Sequence, residues 1–275
     1  PSDFLARLIA DRTTVLAQAW ATSVSIALGF GMAVLVAVPH YQHPELSISA
    51  LRHGLHVLCE KPAGVYTRQV REMNSAAEAS DRVFAIMFNQ RTNKLYQKIK
   101  EIVASGELGE IRRSQWMINS WWRPDSYYQQ SAWRATWGGE GGGVLVNQAP
   151  HQFDLLCWYM GEVAEVYGRW ANINHPYIEV DDSAVATVLF KSGGLASIFV
   201  SNSQRPGIYA KVHIHGSSGA SAGVQTDGGA MFIAGRSSVL EAPYNDIWTI
   251  PGQEECRAQW QKEDGEFFSH IDATW

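Results

Sequence analysis

Residues 33–39, Ala-Val-Leu-Val-Ala-Val-Pro, form an unbroken apolar run rich in branched side chains, the pattern of a strand buried on both faces. Pro44 to Gly54 reads as a helix closed by a glycine, and His56-Val57-Leu58-Cys59 restores a short apolar run. Strand, helix and strand in that order predict a right-handed parallel crossover. Further helices are expected over Thr67–Ala79 and over Lys94–Ser105, the latter capped by Gly106, with a strand over Val83–Phe88 between them. From Ile111 the texture changes to longer alternating segments: Ile111–Trp121, Ala164–Ala171, Ala184–Phe190, Gly194–Ser201 and Tyr209–Gly216. Alternation of that kind predicts a mostly antiparallel sheet with one covered face. Gly216 to Gly229, rich in serine, glycine and alanine, reads as a turn-heavy connection. The fold class is therefore α/β followed by α+β, with the boundary near Arg91 and domains over residues 1–91 and 92–275.

Composition narrows the partners. A net charge of −5 with 18% charged residues, basic side chains scattered, offers no patch suited to a phosphate backbone and argues against nucleic acid. Three widely spaced cysteines, Cys59, Cys157 and Cys256, fit reduced thiols better than a disulfide framework, and no metal-ligand spacing is present. The longest apolar stretch, Ala33 to Pro39, is far shorter than a membrane span, and residues 1–20 lack the order of a signal peptide. The expectation is a soluble, cytoplasmic protein without a membrane partner.

Two segments carry chemistry. Glu60-Lys61-Pro62 directly follows the second predicted strand, and in open parallel sheets ligands bind beyond the carboxyl ends of strands, so His40, His43 and Lys61 are expected to face one crevice. A buried lysine can polarise an oxygen, whereas the alternative is a surface turn opened by proline. The second segment runs from Gly141-Gly142-Gly143 through Asn147 to His151 and Asp154. Pro150 suits the first helical position and Gly161 ends the run Phe153 to Met160, so His151 falls in the first turn of a helix. A helix N-terminus favours neutral imidazole, which can take a hydroxyl proton as a general base; the alternative is a histidine that caps or packs. Asp154 can orient that imidazole or simply cap and solvate. Between the segments, Trp116, Trp121, Trp122, Tyr127, Tyr128, Trp133 and Trp137 interleave with Arg123, Asp125, Gln129 and Gln130. Rings with polar neighbours suit the flat faces and hydroxyls of a carbohydrate, with Trp116 and Trp137 assigned to core or interface.

Over residues 33–200 this arrangement resembles the Gfo/Idh/MocA family of nicotinamide-dependent sugar and polyol dehydrogenases. The resemblance implies an N-terminal Rossmann-type domain, a C-terminal domain built on a large open sheet, and NAD or NADP as cofactor. It implies that Lys61 contacts the substrate hydroxyl and the nicotinamide end, that Pro39, Glu60 and Pro62 belong to the cofactor site, and that His151 is the catalytic histidine. His43 matches a histidine near the nicotinamide and ribose, with a helix-start role as alternative; Trp133 and Arg134 match a pair that reaches the cofactor, with a surface salt bridge as alternative for the arginine. Trp121, Trp122, Arg123, Asn147 and Asp154 are the candidate substrate contacts. Family members usually carry aspartate where this chain has Asn147, which can hydrogen-bond a sugar hydroxyl but holds no charge. A homodimer or homotetramer through the second-domain sheet is also implied.

The N-terminal stretch departs from the family pattern. A dinucleotide site needs a first strand and a Gly-x-Gly-x-x-Gly turn. Here Ser2–Asp11 reads as an amphipathic helix with Phe4, Leu5, Leu8 and Ile9 on one face, Thr13–Ala17 as a strand with no acidic residue after Leu16, and Gly29-Phe30-Gly31 as a loop leading into another strand. The expectation is that the glycine loop precedes Pro1, and that a helix starting at His270 continues past Trp275. Three functions stay open at this level: a dehydrogenase or reductase acting on a sugar, polyol or keto-sugar; a redox-neutral glycoside-cleaving enzyme that holds its cofactor; and a non-catalytic ligand-binding relative.

Overall fold

The computed structural model describes residues 33–118, 122–203 and 210–226. The segments expected over Ser2–Asp11, Thr13–Ala17 and Gly29–Gly31, together with Trp121 and the helix from His270, lie outside the described residues. In chain order the elements are β1 (Ala33–Val36), α1 (His43–Arg52), β2 (His56–Cys59), α2 (Thr67–Glu78), β3 (Phe84–Ile86), α3 (Lys94–Ser105), β4 (Ile111–Ile118) and α4 (Asp125–Gln129). They continue with α5 (Val144–Asn147), α6 (Pro150–Met160), β5 (Val163–Ala171), β6 (Ser183–Phe190), β7 (Leu195–Ser201), β8 (Ala210–Gly216) and β9 (Ser221–Thr226). The described residues divide into two compact units: one holds those of 33–88 together with Asp125–Asn147, the other holds those of 89–124 and of 148–226.

In the first unit β1, β2 and β3 form a parallel sheet in that order, with Val34 opposite Val57 and Val57 opposite Phe84. Val36, Ala50, Leu51, Val57 and Cys59 make its core, with Val34, Leu46, Leu55, Phe84 and Ile86 packed around them, so the apolar runs that predicted strands are also what holds α1 on the sheet. Pro44 sits in the first turn of α1, where a missing N–H costs nothing. β1 is shorter than its apolar run because the chain after Val36 leaves the ladder and enters a 3-10 turn at His40–Gln42, whereas β2 spans its whole run. Asp125–Asn147 joins this unit through named contacts. The Trp137 carbonyl accepts the Tyr41 hydroxyl at 2.6 Å, and the Glu140 carbonyl accepts a ring N–H of His40 at 2.8 Å.

The second unit carries a six-stranded sheet in the order β5-β6-β7-β4-β8-β9, in which β4 runs parallel to β7 and every other neighbouring pair is antiparallel. One face presents Trp116, Ile118, Val188, Phe190, Ile198, Val200 and Ile214, all buried, while Ile99 and Ile102 of α3 and Leu155 and Leu156 of α6 are buried on the helical side. Trp116 stacks on Tyr159 at 6.1 Å, and Tyr159 donates to the Tyr96 carbonyl at 3.0 Å. Trp116 is thus a core residue, whereas Trp137 of the first unit is 43% exposed. The connection expected from Gly216 to Gly229 is shorter than its composition suggested: the chain turns within 217–220 and then forms β9 against β8, with Ala222 opposite Ile214. Small residues are required there, since a Cβ on Gly223 would stand 2.1 Å from the Val212 carbonyl oxygen. On the opposite face of the sheet Tyr167, Val185 and Leu195 are exposed.

Candidate active site

The site in the first unit grows from the carboxyl end of the parallel sheet. The Glu60 N–H donates to the Val36 carbonyl at 2.8 Å, which brings the chain after β2 beside the end of β1, and the Glu60 carboxylate accepts the Lys61 backbone N–H at 3.1 Å. The Lys61–Pro62 peptide is cis. His43, buried at the start of α1, has one ring nitrogen 2.7 Å from the Val38 carbonyl and the other 2.6 Å from the Pro62 carbonyl. One imidazole therefore ties the loop after β1 to the residue after Lys61.

Lys61 reaches 86 positions along the chain to Asn147, donating to its main-chain oxygen at 2.8 Å and to its side-chain oxygen at 3.1 Å. The Asn147 amide nitrogen donates to the Glu140 carboxylate and, at 3.3 Å, to the Tyr127 hydroxyl. Chemistry fixes this amide's orientation, because an ammonium can only donate and an ionised carboxylate can only accept. Glu140 is only 2% exposed, and its second oxygen accepts the Ala135 N–H at 2.6 Å. Burial pushes the Glu140 carboxyl up, while those two donors and the charges of Arg134 and Lys61 pull it back. Burial likewise lowers His40 to about 4, helped by Lys61, His43 and Arg134, so His40 is neutral near pH 7 and donates from Nδ1 to the Glu140 carbonyl.

Trp133 and Arg134 extend the group. The His40 and Trp133 rings lie 5.3 Å apart, and Arg134 donates to the Tyr127 hydroxyl at 2.6 Å with its guanidinium 4.8 Å from the Trp133 ring. The Trp133 indole nitrogen and Arg134 Nε are buried and find no hydrogen-bond partner among the described residues. Buried donors of that kind call for an acceptor, and a ribose hydroxyl or phosphate oxygen supplies one. Together with Lys61 at a strand end, this donor set fits the ribose hydroxyls and phosphate oxygens of a dinucleotide.

The second unit holds the other candidates. His151 is the second residue of α6, whose first is Pro150. Asp154 is paired with Arg91 by two bonds of 2.7 Å each, which also raises the guanidinium pKa. Its carboxylate is thus held by an arginine that sequence patterning does not connect to it. Arg123 donates its backbone N–H to the Asn202 carbonyl at 3.0 Å, and its own carbonyl lies 2.9 Å from a ring nitrogen of His175. The other nitrogen of His175 faces Asp182 at 2.9 Å, and Trp122 packs 5.8 Å from the same ring. Burial raises the Asp182 carboxyl, but N–H groups of Asn174 and Ile173, with His175 and Ser183, outweigh it and hold the group below the usual range. Trp121 lies outside the described residues. Glu140 was not legible in sequence: it stands beside the glycine triplet as an ordinary surface carboxylate would. Among the described residues no group of three or more His, Cys, Asp or Glu side chains could hold a metal ion, and no helix is long and apolar enough to cross a membrane.

Comparison with known proteins bears on the family and the fold. Residues 32–88 match the model of the oxidoreductase family with an NAD-binding Rossmann fold, and residues 96–222 match the GFO/IDH/MocA C-terminal domain. The chain belongs to the Gfo/Idh/MocA family. A family member from Thermotoga maritima, myo-inositol 2-dehydrogenase, is 28% identical over 191 residues, covering 68% of this chain and 54% of that protein. The uncharacterized oxidoreductase YrbE of Bacillus subtilis is 27% identical over 194 residues, covering 69% of this chain and 54% of its own. Among solved structures, the WlbA dehydrogenase from Bordetella pertussis, in complex with NADH and UDP-GlcNAcA, superposes with a TM-score of 0.76 at 26% identity, covering 88% of this chain and 66% of that one. The chain spans about half the length of the curated Gfo/Idh/MocA relatives it matches.

Proposed function

We propose that this chain transfers a hydride between a nicotinamide cofactor, NAD or NADP, and a carbinol of a sugar, polyol or keto-sugar. The observation that carries the reading is the Lys61 ammonium, held at the carboxyl end of β2 by both oxygens of Asn147. When bound, the nicotinamide supplies or accepts the hydride. Lys61 offers hydrogens to the reacting oxygen and stabilises negative charge that develops on it. Asn147 aims that ammonium and orients a neighbouring hydroxyl, while Trp133 and Arg134 offer buried donors to the cofactor. His151 takes the hydroxyl proton in oxidation and returns it in reduction. Relatives named for myo-inositol and levoglucosan oxidation support a carbohydrate or polyol substrate. The exposed apolar side chains Tyr167, Val185 and Leu195 on the six-stranded sheet support a second copy of the chain as partner.

Titration with NADH and with NADPH, followed by tryptophan fluorescence, tests the cofactor assignment; saturable quenching by one of them is expected, and quenching by neither contradicts it. With a substrate found by screening sugars and polyols, His151→Ala should keep cofactor binding and lose turnover by about a hundredfold or more. Retained turnover would remove His151 from the mechanism.

A further inference from the structure

Glu140 is a buried carboxylate in a position that solvent cannot stabilise, 2% exposed and bonded to two donors. Leaving a carboxylate there costs more than burying a glutamine or a leucine unless its charge is used. The groups around it are the Ala135 N–H, the Asn147 amide, the cations Lys61 and Arg134, and His40, which donates to its backbone carbonyl and is neutral. The other nearby carboxylate, Glu60, is turned to the Lys61 backbone N–H. Between Glu140 and Lys61 stands one amide, donating to the carboxylate through nitrogen and accepting from the ammonium through oxygen.

We infer that Glu140 is a positioning residue for the Lys61 centre: its negative charge orients the Asn147 amide, and that amide passes the polarisation on to the Lys61 ammonium. This deepens the proposed dehydrogenase reading and rests on it for the catalytic consequence only. The arrangement also accounts for asparagine at 147. With Glu140 ionised, an aspartate there would set two carboxylates against each other in a buried site, and one would have to hold a proton. A glutamine at 140 beside Asn147 is no better, since one amide NH2 would then face either the Ala135 N–H or the NH2 of Asn147. Exchanging both restores the three bonds along this line: the introduced glutamine would accept from the Ala135 N–H and donate to the introduced aspartate, whose second oxygen accepts from Lys61, while the Tyr127 hydroxyl, which accepts from Asn147, would turn to donate.

The test is a charge-exchange cycle in the full chain: Glu140→Gln, Asn147→Asp and the double variant. Two readouts are needed. The first is the titration of Lys61, followed through the Cε resonance of isotopically labelled lysine and assigned by its loss in Lys61→Gln; it requires no substrate. The second is kcat against KM for the substrate found by screening. In Glu140→Gln the Lys61 titration should move to lower pH and kcat should fall about tenfold, with KM for the nicotinamide cofactor changing less. The double variant should recover most of both losses, a coupling that independent sites would not give. A Lys61 titration and kcat unmoved in Glu140→Gln, or a double variant as impaired as the worse single one, would overturn the inference. If Lys61 titrates as expected in all variants but no sugar or polyol is turned over by the wild type, the dehydrogenase reading fails and the Glu140 assignment stands. Circular dichroism and urea midpoints of each variant identify a variant that does not fold, in which case Glu140→Ala with Asn147→Ser gives the same comparison without a donor facing a donor.

Discussion

At the scale of single residues, burial shifts the proton affinity of the groups that make the site. His40 is the clearest case, with its pKa lowered to about 4 from 6.5. The unfolded chain takes up a proton near pH 6.5 that the folded chain refuses until about pH 4, so the stability tied to neutral His40 is complete above pH 6.5 and is lost as pH falls toward 4. Glu140 acts with the opposite sign. Burial raises its carboxyl, so the folded state holds that proton more tightly, and the cost of its charge is relieved as pH falls. His40→Asn, which can still donate to the Glu140 carbonyl, should therefore flatten the acid-side loss of stability by up to about 3 kcal/mol. Urea unfolding of both proteins at a series of pH values across that window checks this; parallel curves would refute it.

At the scale of elements, the glycine triplet is a packing device. Gly141 has φ +84°, and a Cβ added there would meet Val65 side-chain carbons at 2.5 and 2.6 Å. The loop after β2, which carries Lys61, and the approach to α5, which carries Asn147, thus come together only because residue 141 has no side chain. Gly141→Ala should destabilise the protein by about 2 kcal/mol, from overpacking added to an unfavourable backbone conformation. Gly138→Ala, where a Cβ meets nothing within 4 Å, should change stability by less than about 0.5 kcal/mol. Equal urea midpoints for the two variants would contradict this account. The helices behaved more simply: α3 and α6 begin and end where their caps and apolar periodicity placed them, with Gly106 and Gly161 at positive φ just beyond.

At the scale of the whole molecule, the described chain passes between its two units at Phe88, Pro124 and Asn147, where a single boundary near Arg91 is the simpler reading of the sequence. A chain cut at residue 91 would lose Asn147, Glu140 and Trp133 from the surroundings of Lys61 and His40. The six-stranded sheet presents Tyr167 at 76%, Val185 at 50% and Leu195 at 48% exposure on one face, more apolar side chain than an isolated sheet face usually leaves in water. Sedimentation should show a dimer or larger assembly for the wild type and a shift toward monomer in the pair Tyr167→Lys and Val185→Lys. A monomeric wild type would remove the sheet face as an interface.

Periodicity and punctuation along the chain determined the elements. The apolar runs at 33–39 and 56–59 supplied β1 and β2, of which only Val36, Val57 and Cys59 are fully buried, Pro150 and Gly161 bounded α6, and Glu60-Lys61-Pro62 stood where a parallel sheet opens to ligand. Such signals are local, with cause and effect a few residues apart. Small residues hid β9, because strand pairing there depends on Val212 across the hairpin rather than on apolar content. Tertiary structure alone decided which polar groups meet. The His40 to Glu140 bond joins positions 100 residues apart, the Lys61 to Asn147 bond joins positions 86 apart, and Arg91 holds Asp154 from 63 away. A carboxylate or imidazole has the same letter whether buried or solvated, so its charge state and its role follow from the partners that folding brings to it.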